Sequence, residues 1–185
     1  MKEKNKKVGN YAIKMETCLG RGGFATTYMA FKDKNYNEPY ACKVIQKKDI
    51  QKLLQNDLNY FIKRVQEEYK ALQNLKHPNI VQFLDVEETT NNLYLFFEYC
   101  EQDLEKYIRD HLFQKNPEDI MCFTKQILSA CVYFTSKSFL HRDIKPANIL
   151  LKNKVIKLAD FGLATQINDV EKSVTFAGTP HYMAP

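Results

Sequence analysis

His141-Arg142-Asp143-Ile144-Lys145-Pro146-Ala147-Asn148, then Ile149-Leu150-Leu151, Lys152-Asn153-Lys154, Val155-Ile156-Lys157-Leu158 and, after Ala159, Asp160-Phe161-Gly162, is the stretch whose reading decides the fold. Two short apolar runs rich in β-branched residues flank a polar turn, the pattern of a small β-hairpin. A hairpin returns the chain to where it left. Asn148, before the first strand, and Asp160, after the second, are therefore expected side by side, two oxygen ligands for one hard cation, and Mg²⁺ suits that inventory. Asp143 lies five residues before Asn148, near enough to meet a substrate hydroxyl, with Lys145 beside it to counter developing negative charge. The combination points to phosphoryl transfer.

Composition predicts a globular, soluble protein of one ordinary domain or two small lobes. Of 185 residues, 44% are hydrophobic, with 12 Phe and 11 Tyr to fill a core. The net charge is +5, but Lys2, Lys4, Lys6 and Lys7 cluster in a polar leader, residues 1–10, expected to lie outside the fold, so a nucleic-acid partner is not expected. The five cysteines, Cys18, Cys42, Cys100, Cys122 and Cys131, are scattered and odd in number. That argues against a disulfide framework or a zinc site and for a reducing, cytoplasmic setting. No apolar run approaches the ~18 residues of a membrane span, and no apolar stretch follows Lys7 to make a signal peptide.

Upstream, Tyr11, Ile13, Met15, Thr17 and Leu19 alternate in strand fashion, as do Ala25, Thr27, Met29 and Phe31 after the small-residue tip Gly20-Arg21-Gly22-Gly23. Glycines at such a tip let backbone N–H groups approach an anion. Tyr40-Ala41-Cys42-Lys43-Val44-Ile45 reads as a buried strand with one charge, and a buried ammonium needs a partner. Phe61, Val65, Leu72 and Leu75 recur at helical spacing with Glu68 on the same stripe, so Glu68 is expected to point inward and pair with Lys43. Asp49 to Leu58 reads as a helical lead-in. Leu93 to Phe97 is a buried strand ending in the polar Glu98-Tyr99-Cys100-Glu101-Gln102, a composition shift that marks a boundary. Two helical patterns follow: Leu104, Tyr107, Ile108 and His111, ending near Pro117, then Ile120, Phe123, Ile127, Ala130 and Phe134. Cys122 and Cys131 are expected as small buried hydrophobes.

The catalytic loop and the Asp-Phe-Gly triplet, in this order and separation, resemble the eukaryotic serine/threonine protein kinase family. The resemblance implies an α+β, two-lobe fold: a β-rich N-lobe with one main helix over 11–97, a hinge over 98–102, and a helical C-lobe over 103–185 ending in an activation segment, 160–185. It implies ATP and Mg²⁺, with Asp143 and Lys145 catalytic and Asn148 and Asp160 holding the metal. ATP would meet the phosphate-covering loop Leu19, Gly20, Arg21, Gly22, Gly23, Phe24, Ala25 and Thr27. Ala41, Lys43, Glu68, Leu150 and the backbones of Glu98 and Cys100 would complete the nucleotide site, with Phe97 behind the adenine. Ala25 stands where the family usually has a glycine and Thr27 where it has a valine; the alanine is similar to Polo-like and autophagy-initiating kinases.

Thr165, Ser173, Thr175 and Thr179 follow in a polar stretch read as a mobile loop. By the same resemblance, Thr175 is the site an upstream kinase would phosphorylate, its phosphate facing Arg142, and the partner is a protein bearing Ser or Thr. The chain ends at Ala184-Pro185, one residue short of the family's next glutamate. The expectation is therefore an incomplete C-lobe, with an apolar face of the Ile120–Phe134 helix uncovered. The alternative is a shortened, inactive kinase-like chain that binds nucleotide or a partner without turnover.

Overall fold

A computed structural model describes residues 5–22, 25–32, 35–54, 62–63, 65–66, 69, 73, 75–110, 116–160, 165–166 and 178–183. The chain divides into two units, Met1–Leu75 with Gln82–Tyr99, and Lys76–Val81 with Cys100–Pro185.

The first unit is a six-stranded antiparallel sheet in the order β1-β2-β3-β4-β6-β5, formed by β1 (Asn5–Val8), β2 (Tyr11–Arg21), β3 (Ala25–Lys32), β4 (Asn35–Gln46), β5 (Phe83–Glu88) and β6 (Asn92–Glu98). Because strand side chains alternate between faces, β4 and β6 sort their residues cleanly. Cys42, Val44, Tyr94 and Phe96 join Val8, Tyr11, Ile13 and Ala30 in one buried cluster. Tyr11 stacks on Phe96 with ring centroids 3.7 Å apart. Burying each such large side chain contributes about 1.5–3 kcal/mol, so this face holds the sheet together. The alternate residues, Ala41 and Lys43 on β4 and Leu95 and Phe97 on β6, belong to the other face.

The leader is not wholly outside the fold. Asn5–Val8 pairs with Tyr11–Lys14, and Val8 is buried. A Gly-Asn turn and one apolar residue close a hairpin onto the core, while the Lys6 ammonium sits 5.2 Å over the Tyr94 ring, its stem covering apolar surface. Gly9 turns at φ +52, where a Cβ would collide with the Glu87 carboxylate.

Helix α1 (Lys47–Leu54) follows β4 directly, starting two residues earlier than the expected lead-in. Ile62, Lys63, Val65, Gln66, Tyr69 and Gln73 are helical. Buried Tyr69 packs edge and tilt against Phe97 and Phe83, a core residue the stripe of Phe61, Val65 and Leu72 did not include.

The second unit contains α2 (Leu104–Asp110), α3 (Pro117–Ser136), the sheet β10-β9-β7 and a two-stranded ribbon, with β7 (Gln102–Asp103), β8 (Phe139–Leu140), β9 (Ile149–Lys152), β10 (Val155–Leu158) and β11 (Thr165–Gln166). The Asp103 carboxylate caps α2 by accepting from the Lys106 N–H at 2.7 Å. Asn116 caps α3, accepting from the Glu118 N–H, and Pro117 occupies the first turn, where its missing N–H costs nothing. Pro117 thus starts a helix. The chain leaves α3 through Ser138 at φ 62, a left-handed stop.

Of the predicted α3 stripe, Ala130 and Phe134 are buried, but Ile120 is exposed. The uncovered apolar face is a different one, with Met121 61%, Leu128 59% and Val132 70% exposed, all within about a ninth of a turn of one another. Cys122 is also exposed, not buried, and Cys131 is intermediate. Thr165 and Gln166, expected in a mobile loop, pair with Leu140 and Phe139. No helix among the described residues is long and apolar enough to cross a membrane.

Candidate active site

The hairpin forms as read, one residue tighter. Lys152 belongs to β9 and pairs with Val155, so the turn is Asn153-Lys154 alone, with φ 50 and 63. Two successive positive φ values give the twist that a two-residue hairpin needs. Closure brings the ends together: the Ala159 N–H donates to the Asn148 carbonyl at 2.9 Å. Asp160 follows at φ 60.

Several hydrogen bonds seat this hairpin in the second unit. Asn79, 7% exposed, donates from Nδ2 to the Gln126 Oε1 of α3 and to the Ile156 carbonyl. Gln126 Oε1 also accepts from the Ile156 N–H. Asn79 O accepts from the Leu158 N–H, and Leu158 O from the Val81 N–H. The His77 ring stacks on Tyr133 and reaches Ser129. Buried polar groups are tolerated when satisfied, so this seam locks β10 against α3.

At the loop, Asp143 is surrounded by donors. Its Oδ1 accepts from the Thr179 hydroxyl at 2.7 Å. Its Oδ2 accepts from Asn148 Nδ2 at 2.8 Å and pairs with Lys145 Nζ at 2.9 Å. Lys145 in turn donates to Thr179 Oγ1 at 2.7 Å. Burial pushes the Asp143 carboxyl up, but the bonds from Thr179, Lys145 and Asn148, with the Lys145 charge, outweigh it and hold the group below the usual carboxylate range. Asp143 is therefore an ionised acceptor whose direction is set from both oxygens. Below it, buried His141 accepts from the Asp143 N–H on Nδ1 and meets the Ala159 carbonyl with Nε2 at 2.8 Å. This defines the Nε2–H tautomer. Desolvation keeps its pKa below the ordinary value against the opposing Ala159 bond and the charges of Asp160 and Asp143.

Thr179 was not among the expected site residues, although it stood among the hydroxyls of the polar stretch that ends the chain. Gly178 explains how it arrives: at φ +129, a Cβ there would lie 2.5 Å from the Arg142 carbonyl. Only glycine fits so close a backbone approach.

Asn148 is 7% exposed. Its Nδ2 is engaged twice by Asp143, through the carbonyl and Oδ2, which leaves its Oδ1 as a buried carbonyl-type oxygen, accepting no hydrogen bond among the described residues. Together with the Asp160 carboxylate at the other end of the hairpin, it is a donor set suited to a hard, oxygen-preferring cation such as Mg²⁺.

In the first unit, Leu19, Gly20 and Arg21 end β2 and are exposed, and the Gly22 N–H closes the turn on the Ala25 carbonyl at 2.8 Å. Gly20 pairs with Thr27, Thr27 with Lys43, and Lys43 with Leu95. Direct cross-strand neighbours share a face at roughly 5 Å, so the glycine tip, Thr27 and the lysine form one row. Met29, Ala41 and Phe97 form the next. Glu98 is fixed by a double contact with Gln82, accepting on Oε1 from the Gln82 N–H and donating its own N–H to the Gln82 carbonyl. In the second unit, Cys100 is half-buried and Leu150 lies on β9 opposite Asp103. Gly23, Phe24, Glu68, Phe161, Gly162 and Thr175 lie outside the described residues.

The chain matches the protein kinase domain over residues 13–185 and belongs to that family. It is 38% identical over 176 residues to cell division control protein 7 of Schizosaccharomyces pombe, covering 94% of this chain and 16% of that protein. It is 38% identical over 191 residues to serine/threonine-protein kinase atg1 of Dictyostelium discoideum, covering 97% and 27%. To serine/threonine-protein kinase PLK4 of Xenopus laevis it is 35% identical over 176 residues, covering 94% and 18%. The chain thus spans about a quarter or less of the length of these relatives. The fold expectation stands: an α+β protein kinase module with a curled sheet in its first unit.

Proposed function

We propose that this chain transfers the γ-phosphoryl group of Mg-ATP to serine or threonine hydroxyls of protein substrates. The observation that carries the reading is the Asp143 carboxylate, ionised and oriented by Thr179, Lys145 and Asn148. In-line transfer needs an acceptor that points the substrate hydroxyl at phosphorus and takes its proton, and a cation to meet the charge developing on the transferred group. Asp143 fills the first role and Lys145 the second. Asn148 and Asp160 would hold Mg²⁺, which when bound neutralises phosphate charge. Lys43, braced by Glu68, positions the phosphates beneath the loop from Leu19 to Thr27. The residues assigned to the adenine are Ala41 and the Glu98 backbone of the first unit and Leu150 and the Cys100 backbone of the second. Thr175 is the regulatory phosphosite, for an upstream kinase, and Arg142 the group its phosphate meets. Five cysteines without a disulfide framework suit a cytoplasmic site of action.

The test is transfer of radiolabelled phosphate from γ-labelled ATP to a generic basic protein by the 185-residue chain, with Asp143→Asn and Asp160→Ala beside it. Transfer by the parent, and a loss of at least about 100-fold in either variant, supports the assignment. Undiminished transfer in Asp160→Ala would sink the metal reading. ATP binding by the parent without any transfer would instead support the non-catalytic binder.

A further inference from the structure

The carboxylate of Glu88, the last residue of β5, reaches two separate elements with its two oxygens. Oε1 pairs with Lys47 Nζ at 2.5 Å, the side chains being 40% and 14% exposed respectively, and Oε2 accepts from Gln66 Nε2 at 2.8 Å. Lys47 opens α1, four residues after Lys43 on the strand that runs into it. Gln66 is helical and precedes Glu68 by two residues. Glu88 therefore ties together the two stretches of chain that carry the proposed nucleotide pair.

The platform under Glu88 is stiff. The Lys47 N–H donates to the Asn91 carbonyl, and the Thr89 N–H to that of Asn92. The Thr89 hydroxyl donates to the same Asn92 carbonyl and accepts from the Asn92 N–H. A second tie lies further along: Gln73, also helical, donates from Nε2 to the Leu84 carbonyl of β5 at 2.8 Å. Gln66 and Gln73, both helical, are thus each tied by a side-chain bond to β5, one to Glu88 and one to Leu84.

We propose that Glu88, with Lys47 and Gln66, is a positioning clamp that sets the register of the Glu68-bearing segment relative to Lys43. The clamp touches no substrate and acts only through that pair, and so it rests on the reading of Lys43 and Glu68 given above. The Lys47 hydrogen bond, followed by that charge and Gln66, lowers the Glu88 carboxyl pKa against desolvation, so the clamp is charged at neutral pH.

The experiment compares Glu88→Ala and Gln66→Ala in the full chain by two readouts. Amide hydrogen exchange in peptides spanning 62–75 should speed up by about tenfold, a local opening easier by one decade. The affinity for a fluorescent ATP analogue with Mg²⁺ should weaken about five- to tenfold, and in a Glu68→Ala background the same substitutions should change it by less than about twofold, because the pair they position is gone. Unchanged exchange overturns the clamp. Faster exchange with an equal loss of affinity in both backgrounds overturns its action through Glu68. A parent chain that binds no nucleotide fails the proposed function itself and takes the positioning role with it, while the exchange data still report on the clamp.

Discussion

Replacing Thr179 with valine would test whether the Asp143 cluster is catalytic machinery or only a satisfied turn. The side chains are nearly isosteric, and Thr179 has φ −98 and ψ 116, extended backbone that a β-branched residue adopts readily. What disappears is one hydroxyl with two bonds, to Asp143 Oδ1 and from Lys145 Nζ, each 2.7 Å. Hydrogen bonds to charged groups contribute about 1.5–3 kcal/mol each. Lys145 and Asn148 still hold Oδ2, so about half of that sum, about 1.5–3 kcal/mol, should appear as lost transition-state stabilisation, roughly 10- to 150-fold in kcat. The nucleotide KM should stay within about twofold, since Thr179 serves the acceptor side. Because one of the bonds holding the Asp143 carboxyl below its ordinary range is removed, the acid limb of the pH–rate profile should move toward neutrality. Thr179→Ser, which keeps the hydroxyl, should recover most of the rate. Steady-state phosphate transfer across pH 5–8 reads all of this. A valine variant as fast as the parent, or a serine variant as slow as valine, would refute the assigned role.

Two further outcomes concern stability. His141 and His77 both have lowered pKa values, each mainly through burial, so below about pH 6.5 the unfolded chain takes up protons that the folded one does not, and stability present above that pH is lost as pH falls toward the folded values. His141→Gln should reduce the fall in Tm between pH 7 and 5 to about half, with His77 supplying the rest; an unchanged slope in differential scanning fluorimetry would contradict this. Lys154 sits at φ 63 in the two-residue turn, and Lys154→Gly should stabilise the second unit by up to about 1 kcal/mol by removing the left-handed strain of a residue with a Cβ, read as a shift in urea midpoint at constant m.

How much was legible follows from range. The hairpin, its ends and the Asp143–Lys145–Asn148 loop were readable because their period-two pattern and turn residues lie within about twenty positions of one another. The strand Tyr40–Ile45 with Lys43 in it was readable for the same reason, but not the sorting of Ala41 and Lys43 against the buried Cys42 and Val44, which depends on the strands paired beside it. Thr179 was read as part of a polar loop and not placed on Asp143, because 36 residues of chain separate them and no periodicity spans that gap. Tyr69 and the α3 face were misjudged because helical spacing names several overlapping stripes, and only the partner decides which is buried. Strand β1 was hidden by its lysines, whose charges read as solvent-facing although Lys6 sets its ammonium over the Tyr94 ring. The Gly9-Asn10 turn was the available signal.

The two-residue turn at Asn153-Lys154 also governs how this gene can drift. Residues along β9 and β10 can be exchanged for others of similar size, but neither strand can gain or lose one residue without slipping the register and reversing which side the residues beyond the change face. A single-codon insertion within either strand would leave both metal-ligand candidates intact as amino acids and still displace one from the other, so the length of these strands is held under tighter constraint than their identity.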